Sequence, residues 1–258
     1  MSSYMRVQIL GAHQGESRDM RFMSILVDDR LAIDAGGLTT SLSLEQQLAV
    51  EAVLITHRHY DHIKDLPMLA HNTWEIKSLE IYCTDDTRKM IQAHLFNDEI
   101  WPALREDDPP YHRVIYHKVT PGQPFSLLGY EVLPVTMPHS VPTVGYQVQR
   151  DGKSVFYTAD TRADGVPNWF SLRPDLLVVE TTMSNQFDKE AARFGHMTPM
   201  TLGNELRAFR ARQGYYPRTV CVHINIKHDR QVREELAKLS DDLQADVLAG
   251  YEGMVIDL

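Results

Sequence analysis

Apolar positions along the chain recur mostly at strand spacing, in short runs broken by turn residues. Met5–Leu10, Arg21–Val27 and Leu31–Asp34 read as strands, with Asp28-Asp29 as the hairpin turn between the last two. Glu51–Thr56 lacks polar alternation, which predicts a short strand buried on both faces. Leu79–Cys83, Val114–Val119, Gly129–Thr136, Thr143–Gln149, Ser154–Thr158, Asp175–Glu180 and Thr219–His223 follow as strands. Asp151-Gly152 is a two-residue hairpin signal. Four segments read as helices. Leu66 to about Ile76 starts with Pro67 in its first turn and Asp65 as its cap. Asp85–Phe96 and Arg230–Leu239 are the second and fourth. The third begins at Thr198-Pro199 and puts Leu202, Leu206 and Phe209 on one face. Strands dominate both halves and helices interrupt them. The expected architecture is two mixed sheets packed face to face with helices outside, and residues 1–258 form one domain.

Composition narrows the class. Hydrophobic residues at 43% and charged residues at 24% are those of a soluble globular protein. Thirty-five acidic against 26 basic side chains give a net charge of −9, which disfavours binding to long nucleic acid. Cys83 and Cys221 are too few for a disulfide framework and point to a reducing compartment. No apolar run approaches the roughly 18 residues of a membrane span, and Met1–Arg6 lacks the apolar segment of a signal peptide. A cytoplasmic protein without membrane contact is expected. The 12 histidines are the unusual feature.

Three of them fall in His57-Arg58-His59-Tyr60-Asp61-His62, directly after the buried strand. Residues two apart in extended chain point the same way, so His57 and His59 can share one ion. Asp61 and His62 can then face a second ion beside it. Imidazole and carboxylate suit zinc, iron or manganese. His139, Asp160 and His223 each stand at a strand exit, where sites assemble in α/β folds.

The H-x-H-x-D-H run, followed by His139, Asp160 and His223 in that order, resembles the metallo-β-lactamase fold superfamily. Asp34, in Ala32-Ile33-Asp34-Ala35-Gly36, matches the early acidic position, which there supports the histidine loop. The resemblance covers nearly the whole chain. It implies an α+β, four-layer αβ/βα sandwich with a binuclear site on one edge. Carried over by position, His57, His59 and His139 hold one metal, and Asp61, His62 and His223 the other. Asp160 bridges them. Two divalent ions per chain are implied, zinc first, with manganese and iron accepting the same ligands.

Two further stretches resemble the phosphodiesterase branch, which contains ribonuclease Z and the class II cyclic-nucleotide phosphodiesterases. They are Val178-Val179-Glu180-Thr181-Thr182 and Gly195-His196-Met197-Thr198-Pro199. In that branch the extra histidine, here His196, protonates the leaving oxygen, and the glutamate, here Glu180, orients it. Asp61, His196 and Glu180 are the implied catalytic residues. Tyr60 and Asp65 stand where the class II enzymes usually carry leucine and glycine. His139 and Asp160 lie only 21 positions apart, which leaves no room for the long arm that ribonuclease Z inserts there. A small phosphodiester substrate follows, a cyclic nucleotide such as 3′,5′-cyclic AMP above all, attacked by a hydroxide held between the ions. A homodimer is the assembly the branch often adopts. Two other readings stay open: a hydrolase of a thioester, lactone or sulfate ester, and a non-catalytic di-iron sensor or binding domain.

Several residues carry weaker expectations. His13, after Gly11, reads as a solvated loop histidine. His71, His94, His112 and His117 read as packing or surface residues, and Cys221 as a buried inert thiol. Lys227 and His228 read as a solvated basic loop. Tyr82–Tyr116, with Trp101, Tyr111 and Glu106-Asp107-Asp108, packs on the core or forms a lid over the site.

Overall fold

The computed structural model describes residues 4–105, 107–109, 113–163 and 168–258; Glu106, Tyr111 and His112 lie outside them. The first part of the chain runs β1 (Arg6–Gly11), β2 (Ser24–Val27), β3 (Leu31–Ile33), α1 (Leu38–Ser41), α2 (Leu44–Ala49), β4 (Ala52–Leu54), α3 (Tyr60–Ile63), α4 (Leu66–Thr73), β5 (Leu79–Cys83), α5 (Asp85–His94) and β6 (Val114–Lys118). The second runs β7 (Phe125–Leu127), β8 (Tyr130–Met137), β9 (Thr143–Arg150), β10 (Lys153–Tyr157), β11 (Leu176–Glu180), α6 (Asp188–Phe194), α7 (Pro199–Gln213), β12 (Arg218–Val222), α8 (Asp229–Leu243), β13 (Val247–Ala249) and β14 (Met254–Asp257).

Two seven-stranded mixed sheets result, in the orders β14-β1-β2-β3-β4-β5-β6 and β13-β12-β11-β10-β9-β8-β7. The parallel part of each, β3 to β6 and β10 to β13, aligns the carboxyl ends of consecutive strands. Three apolar cores hold the layers together. Val7, Ile25, Leu54, Val132, Tyr146 and Val178 meet between the sheets. Val53 and Ile81 pack against Leu66, Leu69 and Ile91 on one outer face. Phe156 and Val179 pack against Leu202, Phe209 and Leu236 on the other. The helix–sheet–sheet–helix order is the expected four-layer sandwich. Strand β4 explains its lack of alternation, since Val53 enters an outer core while Ala52 and Leu54 enter the central one.

Turn chemistry follows the sequence. Asp28 and Asp29 (φ 49° and 60°) make the first hairpin, and Asp151 and Gly152 (φ 52° and 78°) the second. Thr198 caps α7 through a capping box with Thr201, ahead of Pro199. Three expectations need correction. The strand expected from Arg21 starts at Ser24; its ladder with β1 shifts register between Ile9 and Gly11, and Phe22 makes an isolated bridge to His13 instead. The helix after Asp65 ends at Thr73 rather than Ile76. Asp65 makes no side-chain cap to its own helix; its carboxylate accepts from the Thr39 backbone N–H at 2.8 Å and so ties α4 to α1. Trp101 packs on the outer core of the first half and meets the His71 ring edge-on at 5.8 Å. Among the described residues, no helix is long and apolar enough to cross a membrane.

Candidate metal centre

Six strand exits deliver polar side chains to one edge of the sandwich. Asp34 leaves β3, the histidine run leaves β4, His139 leaves β8, Asp160 leaves β10, Glu180 ends β11 and His223 leaves β12. Three of these exits place a non-glycine residue in the left-handed region: Asp34 (φ 59°), Ala159 (φ 57°) and His223 (φ 59°). That conformation costs roughly 1–2 kcal/mol per residue, and sheet pairing on the strand before each turn holds it in place.

The seven expected ligands converge. His57 and His59 share one direction, as extended chain requires, and their Nε2 and Nδ1 approach to 3.1 Å. His139 Nε2 lies 3.3 Å from His59 Nδ1. One turn of helix, α3, then brings Asp61 and His62 beside them. Asp61 Oδ2 stands 3.1 Å from His223 Nε2 and 3.7 Å from His62 Nε2. Asp160 sits between the two groups. Its Oδ2 is 3.6 Å from His57 Nε2, 3.6 Å from His139 Nε2 and 3.4 Å from His223 Nε2, and its Oδ1 is 3.4 Å from His62 Nε2. Donor atoms thus form a group of His57, His59, His139 and Asp160, and a group of Asp61, His62 and His223.

Hydrogen bonds behind the rings assign the protons. His62 Nδ1–H donates to Asp34 Oδ2 at 2.7 Å, and His139 Nδ1–H donates to the Gly195 carbonyl at 2.9 Å. The Thr56 hydroxyl stands between Asp34 (2.9 Å) and His57 Nδ1 (3.0 Å). The Thr182 hydroxyl stands between Glu180 Oε2 (2.8 Å) and His223 Nδ1 (2.8 Å). Four histidines are therefore anchored at Nδ1 and turn Nε2 forward, the usual way a protein orients metal-binding imidazoles. His59 alone turns Nδ1 forward. Thr56 stands just before the histidine run and Thr182 closes the Val178–Thr182 stretch, yet neither carries a motif signal of its own.

Electrostatics match a cation site. Burial holds the His57 imidazole well below its ordinary pKa, and the neighbouring His62 adds to the effect. Burial and His139 bring His59 down to about 4, and burial also lowers His139. These three rings are neutral near pH 7, the state that binds metal. Burial works against a charge on His62, but Asp160, Asp34 and Asp61 raise it well above the usual value. Burial would raise the Asp61 carboxyl, yet His62 and His223 pull it below the usual range. His62 Nε2 and Asp160 Oδ1 are buried with no hydrogen-bond partner, although they face each other. Buried polar atoms are rarely left so. These orphaned atoms, in a set of imidazole and carboxylate donors, fit divalent cations; the donor chemistry admits zinc, manganese and iron alike.

Glu180 and His196 form a second, adjoining unit. Glu180 is wholly buried and accepts from the backbone N–H groups of Thr161 (3.1 Å), Thr182 (3.1 Å) and Met197 (3.3 Å). His196 Nδ1–H donates to Glu180 Oε1 at 3.0 Å. Burial opposes a proton on His196, but the Glu180 carboxylate outweighs it with help from Asp160, and the pKa rises to about 9. The His196 ring lies 5.1 Å from that of His139 and 5.2 Å from that of His223. It is 8% exposed where His57, His62 and His223 are at zero, so its edge reaches solvent.

Other expected residues lie elsewhere. His13 is not solvated: it is buried between Glu252 (Nδ1–Oε1 2.6 Å) and Asp229 (Nε2–Oδ1 3.1 Å). Cys221 is buried in the outer core, and burial pushes its thiol up to about 12. Lys227 is exposed, while the His228 ring stacks on Phe187 at 4.5 Å. His71 and His94 are exposed, and His117 pairs with Glu80 at 2.6 Å.

Comparisons with known proteins bear on the fold and the family. Ribonuclease Z of Methanopyrus kandleri is 27% identical over 139 residues, which make up 52% of this chain and 46% of that protein. The match therefore spans less than half the length of that curated relative. The metallo-beta-lactamase fold protein YhfI of Bacillus subtilis superposes over 100% of both chains with a TM-score of 0.78 at 20% identity. Unliganded yeast PDE1 superposes over 98% of this chain and 99% of its own, with a TM-score of 0.81 at 17% identity. The sequence model described as "Beta-lactamase superfamily domain" matches residues 32–224, from the strand before Asp34 to just beyond His223, and the chain belongs to that family.

Proposed function

We propose that the protein is a metal-dependent hydrolase of a small phosphodiester, and that His57, His59, His139 and Asp160, with Asp61, His62 and His223, hold two divalent cations. When bound, such ions polarise water and offset charge on phosphoryl oxygens. The chain's own part lies in the unit beside them. The observation that carries the reading is the Glu180–His196 pair. Both ligand groups are complete without His196, yet its ring borders both. Glu180 holds its Nδ1–H and favours the imidazolium, leaving the opposite edge of the ring to give a proton to the leaving oxygen. An alkoxide leaving group needs that proton, whereas a thiolate leaves without it.

Substrate size follows from the second sheet. The interval from His139 to Asp160 is filled by the β9–β10 hairpin, which turns at Asp151-Gly152. No arm extends from it to grip a folded RNA, and the net charge of −9 opposes one. Ribonuclease Z of the archaeal relative is one precedent by name, but a cyclic nucleotide suits this chain better than a precursor transfer RNA. The His196 region also offers a group of Asp160, His196 and His223, in which His196 would be a ligand instead.

The deciding experiment compares wild type with His196→Ala, loaded with zinc or manganese, on paired substrates. General acid catalysis contributes ~10²–10⁴-fold. The variant should keep two ions and lose that factor on diesters with alkoxide leaving groups, cyclic nucleotides included, while retaining most activity on a nitrophenyl diester. Equal losses on both would remove the proton-donor role, and loss of an ion would make His196 a ligand. Cleavage of precursor transfer RNA with cyclic nucleotides untouched would overturn the substrate class, as would turnover of thioesters or lactones alone.

A further inference from the structure

We propose that Thr182 is a positioning residue that holds His223 in its cation-binding tautomer and couples it to the Glu180–His196 pair. The proposal rests on the two-cation reading above. The Thr182 hydroxyl is wholly buried and meets three groups: Glu180 Oε2 at 2.8 Å, His223 Nδ1 at 2.8 Å and His196 Nδ1 at 3.3 Å. A hydroxyl has one proton to give and lone pairs to accept with. Glu180 already collects backbone N–H groups from Thr161, Thr182 and Met197, so it acts as an acceptor throughout. The Thr182 proton therefore goes to Glu180, and its oxygen accepts from His223 Nδ1–H.

The consequence appears on the far side of the His223 ring. With the proton on Nδ1, Nε2 presents a lone pair toward Asp61 Oδ2 at 3.1 Å and Asp160 Oδ2 at 3.4 Å. Three acceptors then face one another, an arrangement that a cation among them satisfies. The other tautomer puts the proton on Nε2, where it donates to Asp61 and closes the site. It would also force the Thr182 hydroxyl to give its only proton to His223 Nδ1, leaving two oxygens at 2.8 Å with nothing between them. One buried hydroxyl thus selects the open form. The Thr56 hydroxyl does the same between Asp34 and His57, on the other ligand group.

The test uses the whole chain and needs no turnover. Thr182→Val keeps the shape and removes the hydroxyl; Thr182→Ser keeps the hydroxyl. Zinc and manganese titrations against a chelating dye read the affinity of each ion. Histidine ¹⁵N NMR of the metal-free protein reads the tautomer. Outer-shell partners of this kind are worth ~10–100-fold in metal affinity. Thr182→Val should weaken one ion by that factor, leave the other unchanged and move the His223 proton from Nδ1 to Nε2, while Thr182→Ser stays near wild type. Unchanged affinities in Thr182→Val would overturn the proposal. So would a wild-type His223 already protonated at Nε2, a measurement that stands even if the valine variant does not fold. If wild type takes up only one ion, the two-cation reading falls, and the tautomer measurement still decides the role of Thr182.

Discussion

Gly195 holds a position at the centre that a side chain cannot share. It closes α6 in the left-handed region at φ 85°, and its carbonyl accepts from His139 Nδ1–H at 2.9 Å. A Cβ built there would come within 2.8 Å of His139 Nδ1. Gly195→Ala would therefore strain the turn by about 1 kcal/mol and press on the ring that it orients. The expected outcome is a weaker ion at the His57–His59–His139 group with the His223 group unaffected, read by metal titration; two unchanged affinities would show that His139 is not held through this turn. The histidine run, by contrast, was legible from the sequence, because its candidate donors are contiguous and strand geometry fixes which of them point together. The isolated donors His139, Asp160 and His223 were legible by their order and by their place at strand exits. Thr56 and Thr182 were not. A threonine hydroxyl carries no periodic or compositional signal, and its role depends on what two other elements place beside it.

Among elements, the loop after β1 shows what spacing does not reveal. His13 lies 239 positions from Glu252 and 216 from Asp229, yet it joins the start of α8 to the turn before β14. Its backbone also bridges Phe22 and Ile224, next to His223. Burial disfavours a charge on this ring, but the bonds to Glu252 and Asp229 outweigh it and raise its pKa above 6.5. A group whose folded pKa is raised stabilises fully below its unfolded value and loses that contribution as pH rises through the folded one. Wild type should therefore exceed His13→Asn in stability by about 2–3 kcal/mol near pH 6, with the gap closing on the alkaline side. Denaturant melts of both proteins across pH measure it, and a gap that stays constant with pH would show that no proton is involved. Shortness hid β7, β13 and β14, and in β14 long range added to it. These strands have three or four residues, too few to show a period, and β14 is held by pairing with β1 at the opposite end of the chain.

At the scale of the molecule, the centre joins the two sheets. His57, His59, Asp61 and His62 hang from the exit of β4 in the first sheet, while His139, Asp160 and His223 hang from β8, β10 and β12 in the second. The apolar core between the sheets draws on both, so unfolding either one exposes the other. One cooperative transition is expected for residues 1–258, as for a single domain. Cations held by donors from both sheets bind only the assembled form, so they stabilise it by mass action. At a free concentration 1,000 times the dissociation constant, one ion contributes about 4 kcal/mol. In a chain of this size that corresponds to a rise in melting temperature of roughly 10 °C. Calorimetry with zinc or manganese, and again with a chelator, should give one transition in each case, the protein loaded with two ions melting higher by about twice that margin. Two transitions in the chelated protein would divide the chain into independently folding halves. An unchanged melting temperature would mean that the folded chain does not hold the ions in preference to the unfolded one, and the two-cation reading would fall with it.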